Sequence, residues 1–316
     1  TPQESLMYDV IGDIHGHADR LEELLTVLGY EKKAGLWSHP SRQIIFVGDF
    51  IDRGPKQIET YRLVRAMVDN GTALAVMGNH EFNAVCFATP HPTMPNRALR
   101  QHNDIHLNQH AAFLDQVDQG STLHWEMIEW FKTLPVYLDL PDIRVVHACW
   151  NDDAIAQLSP HLDHDNRLKE DAWPTVGCEE TEAYDAIMKL IMGITVTLPN
   201  KTTFKDNSGA TRRAIKAKWW CDDLSTYRAV AIMDEKCRLR LPEEADQIVP
   251  EPEIPRYRDH KPVFVGHYCL RGTPVPMNEK IACVDYTAAV MPDNGKLVAY
   301  RWDGEEIISP HAFVYT

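Results

Sequence analysis

Gly12-Asp13-Ile14-His15-Gly16, Gly48-Asp49-Phe50-Ile51-Asp52-Arg53-Gly54 and Gly78-Asn79-His80-Glu81 each follow an apolar run, at residues 6–11, 43–47 and 73–77. Two single histidines repeat the arrangement later, His147 after 144–146 and His267 after 262–265. Apolar strand, glycine turn, then a polar side chain is the way an α/β sheet gathers groups from distant parts of a chain into one crevice beyond its strand ends.

Outward from these fragments, the first eighty residues read as repeated strand and helix. After the first turn Leu21, Leu24, Leu25 and Leu28 recur at helical spacing and end near Gly29. Ile58, Tyr61, Leu63, Val64 and Met67 do the same after the second, and residues 82–87 begin a third helix. Residues 90–130 are polar, then helical, and read as an insertion packed beside the loops. A strand pair is expected at 136–140 and 144–148, turning at Pro141-Asp142. A helix is expected around Glu182–Met192. Residues 241–255, rich in Pro and Glu, read as an exposed connector. Short strands are expected at 263–265, 281–284, 296–302 and 305–308, the last two joined at Asp303-Gly304. The fold class is α/β, organised as one domain over 1–316 with insertions at about 90–130 and about 151–260 forming a cap.

Composition narrows the class further. With 316 residues and 44% hydrophobic content the chain can bury a large core, and no apolar stretch is long enough to span a bilayer. The residues Thr1-Pro2-Gln3-Glu4-Ser5 lack the character of a signal peptide, so the expected setting is cytoplasmic. Seven scattered cysteines without a C-x-x-C pair fit reduced thiols. A net charge of −14 opposes binding to duplex nucleic acid.

The polar fragments have the chemistry of a metal centre. Asp13 and His15, one residue apart, point to the same side of an extended loop and can grip one ion. Asp49 has two carboxylate oxygens and can bridge two ions, with Asn79, His147 and His267 completing the second site. Mixed oxygen and nitrogen ligation suits Mn, Fe, Zn or Ni better than Ca or Mg. Such a pair lowers the pKa of a bridging water from 15.7 toward about 7, creating hydroxide at neutral pH. His80 is placed to protonate a leaving oxygen, with Asp52 orienting it, and Arg53 offers a planar fork for phosphoryl oxygens. Glu81 is read equally as a support for these groups or as a helix-start residue.

These residues carry a resemblance. The G-D-x-H-G, G-D-x-x-D-R-G and G-N-H-E fragments are similar to those of the calcineurin-like metallophosphoesterases, in particular the phosphoprotein-phosphatase branch and its bacterial members. Those members include diadenosine tetraphosphatases and the phosphatase module of polynucleotide kinase-phosphatases. The resemblance implies a four-layer α/β/β/α sandwich and two divalent metal ions, often Mn. By motif position Asp13, His15 and Asp49 would hold the first ion, and Asp49, Asn79, His147 and His267 the second. His80 with Asp52 would act as the acid pair and Arg53 as a phosphate clamp. The expected activity is hydrolysis of phosphomonoesters, from a phosphoprotein or a small phosphate, by metal-bound hydroxide. Dinucleoside polyphosphate cleavage is the alternative, and a non-catalytic phosphate-binding module a third reading. Gly266-His267-Tyr268-Cys269 departs from the G-H-x-H of the wider superfamily, as the phosphoprotein branch also does, and Cys269 is read as a buried free thiol. Ala148-Cys149-Trp150-Asn151-Asp152 replaces the glycine-rich continuation of the eukaryotic protein phosphatases.

Three other features have competing readings. His102, His106 and His110, four residues apart, are read as a solvated helix face. The basic run 201–218 either lines a phosphate entry, with Arg212 and Arg213 as substrate-binding candidates, or is plain surface. Trp219-Trp220 is read as packing under the cap rather than as a stacking platform.

Overall fold

The computed structural model describes residues 7–221, 225–251, 253–286, 288 and 294–316. Thr1 to Leu6 and Pro252, which entered the reading above, lie outside them. Two sheets form the centre. In the first, β1 (Met7–Ile11) pairs in parallel with β2 (Arg42–Phe46), which pairs in parallel with β3 (Ala73–Ala75). The second contains β4 (Tyr137–Asp139), β5 (Arg144–Val146), β6 (Val263–Val265) and β7 (Ile281–Cys283) in the order β7-β6-β5-β4. The first sheet is completed by β8 (Asp285–Tyr286), β9 (Lys296–Trp302) and β10 (Phe313–Tyr315), with β9 antiparallel to β1 and flanked by the other two.

Alternation along the strands assigns the layers. Ile45 and Val47 pack with Val145, Phe264, Ala282 and Tyr300 between the sheets. Their neighbours Ile44 and Phe46 face the opposite way, toward the leucines of α1 (Ala18–Val27) and toward Tyr61, Val64 and Met67 of α2 (Gln57–Asp69). On the second sheet Val145 faces inward while Val146 joins the cluster that holds Ala154 of α6 (Asp152–Leu158) and Ile187 and Leu190 of α7 (Glu182–Met192). Period-two burial on both sheets therefore gives helix, sheet, sheet and helix. Each fully buried Leu or Ile in these faces contributes about 1.5–3 kcal/mol.

Three further helices flank the strand ends: α3 (Asn79–Ala88), α4 (Asp104–Val117) and α5 (Thr122–Lys132). Phe113 of α4 and Ile128 and Phe131 of α5 are fully buried in the core. The segment 90–130 is thus a wall of the core as well as a neighbour of the loops.

Two expectations fail. Residues 305–308 form no strand; Glu305 instead folds back, bonding the Tyr300 hydroxyl at 2.5 Å and the Asp303 amide at 2.8 Å, and β9 pairs with β10. The segment 241–255 is no exposed connector, because Leu241, Ala245, Val249 and Ile254 are buried in the main core. Its described prolines and glutamates are exposed or half-buried between these core residues. All seven cysteines are unpaired, and among the described residues no helix is long and apolar enough to cross a membrane.

Candidate metal centre

The loops after β1, β2, β3, β5 and β6 meet at one place. Asp13, His15, Asp49, Asn79 and His147 are buried there, with His267 at the edge. His15 Nδ1 donates to the Ile51 carbonyl at 2.7 Å and His147 Nδ1 to the Val47 carbonyl at 2.6 Å. A neutral imidazole has one N–H, so these bonds leave each Nε2 as a lone pair facing the site. His147 Nε2 lies 3.3 Å from Asp49 Oδ2 and 3.0 Å from Asn79 Oδ1, and His15 Nε2 lies 3.5 Å from the same Asp49 oxygen. His267 Nδ1 lies 3.0 Å from Asn79 Oδ1.

Asp49 belongs to two groups of converging donors, one with His15 and His80 and the other with His147 and His267. Acceptors aimed at one another are repulsive unless a cation lies between them. The acid groups agree. Burial raises the pKa of Asp13 well above the carboxylate range, and the nearby charges of Asp285 and Asp49 raise it further. Burial, with the charge of His80, drives His15 down to about 3, and burial with His147 does the same to His267. Both rings are therefore neutral at physiological pH, the form that ligates a metal. His147 goes the other way: burial works against its charge, but Asp49 beside it raises its pKa in the metal-free site. The residues present fit a cation site with Asp49 shared.

Backbone geometry sustains this convergence. His15, Asp49, Asp52, Arg53, His267 and Cys269 all have left-handed φ, from +44° to +74°, six of the twelve such non-glycine residues among those described. Each costs on the order of 1–3 kcal/mol and persists only where surrounding bonds fix it. Glu81 supplies several of those bonds. Fully buried, it accepts from the amides of Asp49 at 2.8 Å, Phe50 at 2.7 Å and Gly78 at 3.0 Å. Both readings of Glu81 hold, since it also closes the first turn of α3.

Two glycines make room for carboxylates. A Cβ on Gly266 would lie 2.1 Å from Asp13 Oδ1, and one on Gly78 would lie 2.1 Å from Asp49 Oδ1. Gly78 has extended backbone that alanine adopts freely, so Gly78→Ala acts through displacement of Asp49, whose amide nitrogen would also lie 2.4 Å from the new Cβ. That variant is expected to lose metal affinity by about 10–100-fold, read by metal analysis after dialysis; unchanged content would mean that Asp49 does not hold an ion.

Beside this cluster His80 Nδ1 donates to Asp52 Oδ2 at 2.5 Å, and His80 Nε2 lies 3.9 Å from Asp49 Oδ2. The other oxygen of Asp52 receives His110 Nδ1 at 2.7 Å. Burial opposes ionisation of Asp52, yet the bonds from His110 and His80 hold its carboxyl well below the usual range. Burial likewise works against charge on His80, but Asp49 and Asp52 hold its pKa above the ordinary value.

His110 corrects the reading of the His102/His106/His110 series as a solvated face. It is buried, stacked on Phe113 and bonded to Asp52. His102 stacks on Phe87 at 3.7 Å. The only signal in the sequence was helical phase: His110, Phe113, Leu114 and Val117 share the buried side of α4. His110→Leu should lower kcat by about 10–100-fold at unchanged metal content, by analogy with other residues that orient a functional group from behind. His110→Asn, which can still donate to Asp52, should recover part of it.

Asp285 was also missed. It is buried, accepts from the Cys269 amide at 2.7 Å and raises the pKa of Asp13. Cys269 is a free thiol as read, but half-buried rather than buried, and desolvation pushes its pKa up. Asp13 stands just outside both converging groups, its Oδ2 3.9 Å from His15 Nε2.

A cavity of about 640 Å³ opens from the centre, lined by Asp52, Arg53, Asn79, His80 and His267 at one end and by residues of α3, α4 and α7 beyond. Arg53 stands at its exposed rim. Arg212 and Arg213 do not line it: both are exposed, on or beside the short hairpin of Phe204–Lys205 and Thr211–Arg212, and Arg212 pairs with Asp206 at 2.7 Å. The cavity's second arginine is Arg100. Trp219 is packed as expected, its Nε1 donating to the Ala148 carbonyl.

Residues 7–192 match the family model described as calcineurin-like phosphoesterase, and the chain belongs to that family. The family implies divalent metal ions at a centre of this composition. Among curated relatives, the chain is 36% identical over 141 residues to a bis(5'-nucleosyl)-tetraphosphatase PrpE (asymmetrical) of Oceanobacillus iheyensis, covering 44% of this chain and 54% of that one. It is 34% identical over 165 residues to the protein of the same name in Halalkalibacterium halodurans, covering 50% and 63%. The matched segment thus spans between half and two thirds of those relatives. A crystal structure of a putative diadenosine tetraphosphatase aligns over 100% of this chain and 95% of its own, with 16% identity and a TM-score of 0.46.

Proposed function

We propose that the protein is a two-metal phosphoesterase that hydrolyses phosphomonoesters. The observation that supports this best is the single carboxylate, Asp49, shared between two groups of inward-facing ligands. Asp13, His15 and Asp49 would hold one ion and Asp49, Asn79, His147 and His267 the other, with Mn the expected metal and Fe, Zn or Ni the alternatives. When bound, the ions polarise the phosphoryl group and activate water.

The chain's own residues supply the rest. Arg53 binds phosphoryl oxygens at the rim, where its fork meets two of them at once. His80, held protonated by Asp52, gives its proton to the leaving oxygen. Asp52 fixes the orientation of that ring and is itself fixed by His110. The first turn of α3 places positive backbone dipole at the same point. Segments 90–130 and 151–260 serve as walls of one domain and shape what enters.

A second reading, dinucleoside polyphosphate cleavage, is favoured by the relatives, which are bis(5'-nucleosyl)-tetraphosphatases. Turnover of p-nitrophenyl phosphate, bis-p-nitrophenyl phosphate and a dinucleoside tetraphosphate by the metal-supplemented protein separates the readings. Preference for the first supports the monoesterase and preference for the last the polyphosphate hydrolase. No turnover of any, with ions bound, would favour a phosphate-binding module.

A further inference from the structure

The cavity runs on beyond His80, and its far part has a chemistry of its own. Asn79, Asn83 and Phe87 lie four residues apart on one face of α3 and all line it. With a rise of 1.5 Å per residue, Asn83 stands about 6 Å along the helix from Asn79. Arg100 is held there: its Nη1 donates to Asn83 Oδ1 at 3.2 Å and its Nη2 to Gln109 Oε1 at 2.9 Å, while its amide is tied to the Cys86 carbonyl at 3.0 Å.

Both acceptors are neutral, and among the described residues no carboxylate forms an ion pair with Arg100. This is unusual in a chain of net charge −14, where most arginines that bond side chains meet an acid. Burial lowers the pKa of Arg100, and Asp52 and Glu179 act on it only from a distance, without bonding it. A positioned cation without a bonded carboxylate inside a cavity is a ready anion site.

We infer that Arg100 binds a second phosphoryl group, carried on the leaving-group side of the substrate. The order along α3 gives the direction: Asn79 at the metal centre, His80 at the leaving oxygen, then Asn83 and Arg100 one turn further. A phosphate joined to the scissile one through one or two bridging oxygens reaches that far; an uncharged alcohol offers Arg100 nothing. Tyr184, Met188 and Met192, spaced four residues apart on α7, give the same cavity an apolar side on which the organic remainder can lie. A second phosphoryl site on the leaving side suits phosphoanhydrides, whose leaving group is itself a phosphate, and so weighs for the second of the two readings above over simple monoesters. The inference rests on the phosphoesterase reading for the position of the scissile bond.

The test compares binding of methylenediphosphonate, which carries two phosphoryl-like groups and cannot be hydrolysed, with methylphosphonate, which carries one. Calorimetry on Mn-supplemented wild type and Arg100→Met should show the two-headed ligand weakened at least about tenfold, the scale of one lost charged hydrogen-bonding partner. The one-headed ligand should be affected several-fold less. Arg100→Lys, which keeps charge without the fork, should fall between. Gln109→Leu, which loosens Arg100, should weaken the two-headed ligand selectively and serves if Arg100→Met does not fold. Equal weakening of both ligands, or of neither, overturns the inference. Binding is read without turnover, so an inactive wild type would defeat the hydrolase reading while this comparison still decides the role of Arg100.

Discussion

Asp49→Asn is expected to leave a folded protein that no longer retains two ions and has lost turnover by at least roughly 10²–10³-fold, the scale of removing one preorganised group from a reacting centre. The substitution keeps one oxygen and the shape of the side chain but removes the charge and the second oxygen. Asp49 Oδ2 faces both His15 and His147, so the loss strikes both halves of the centre. Its loop is held from behind by Glu81 through backbone amides, which the substitution leaves in place. Asp13, Asp49 and Asp285 repel one another in the metal-free protein, as the raised pKa of Asp13 records. Burial opposes the charge of Asp49 itself, yet His147 and His80 outweigh it and hold this carboxyl well below the usual range, so its charge stabilises the metal-free fold and the metal-free variant should melt below the metal-free wild type. An unchanged or higher melting temperature would mean that these rings do not support the Asp49 charge. Full metal content would remove the bridging assignment.

The second large effect is expected at His80. His80→Asn should keep its ions and lose roughly 10²–10⁴-fold in kcat, the usual contribution of a positioned acid. The geometry leaves two roles open to this ring, because His80 also converges with His15 and Asp49. The partner of its other nitrogen separates them. His80 Nδ1 donates to the Asp52 carboxylate, whereas Nδ1 of His15 and of His147 donates to a backbone carbonyl. A ring backed by a carboxylate is placed to hold a proton and deliver it, and Asp49 and Asp52 raise its pKa against burial. Because the folded pKa is raised, the acid form is complete below 6.5 and is lost as pH rises through the higher value. Activity should decline on that alkaline limb in wild type, and the limb should vanish in the variant. The loss should also be greater with phenyl phosphate than with p-nitrophenyl phosphate, since nitrophenolate departs without needing a proton. Equal losses on the two esters, or loss of metal, would make His80 a ligand.

The centre was far more legible in the sequence than its surroundings. Asp13, His15, Asp49, Asn79 and His80 stand in fragments whose order and glycine flanks leave few alternatives, and the structure brings them together with His147 and His267. Local signals of that kind depend on the chain within a few residues. The supports of the centre depend on contacts far along it. Asp285 reaches Asp13 across more than two hundred and seventy residues, and His110 reaches Asp52 across 58. Nothing beside either residue marks it.

The two arginines named as substrate-binding candidates lie outside the cavity for a related reason. Arg212 and Arg213 stand in a basic run, but a run of like charge is more easily solvated than buried, and Arg212 found an acid on its own hairpin. Arg100 has no basic neighbours in sequence to draw notice, and its place is set by α3 and α4 packing around it. Strand 305–308 failed because a Gly turn and alternating residues do not reveal that Tyr300 and Trp302 capture Glu305. The segment 241–255 failed because its buried residues are interleaved with prolines and acids that read as solvent-exposed.

The most direct test of the account is a titration of Mn into metal-stripped protein, following bound metal and turnover of p-nitrophenyl phosphate together. A centre built around a shared Asp49 predicts no turnover without metal and a rise that is complete only at about two ions per chain. Full turnover in the stripped protein, or a maximum reached with one ion bound, would contradict it.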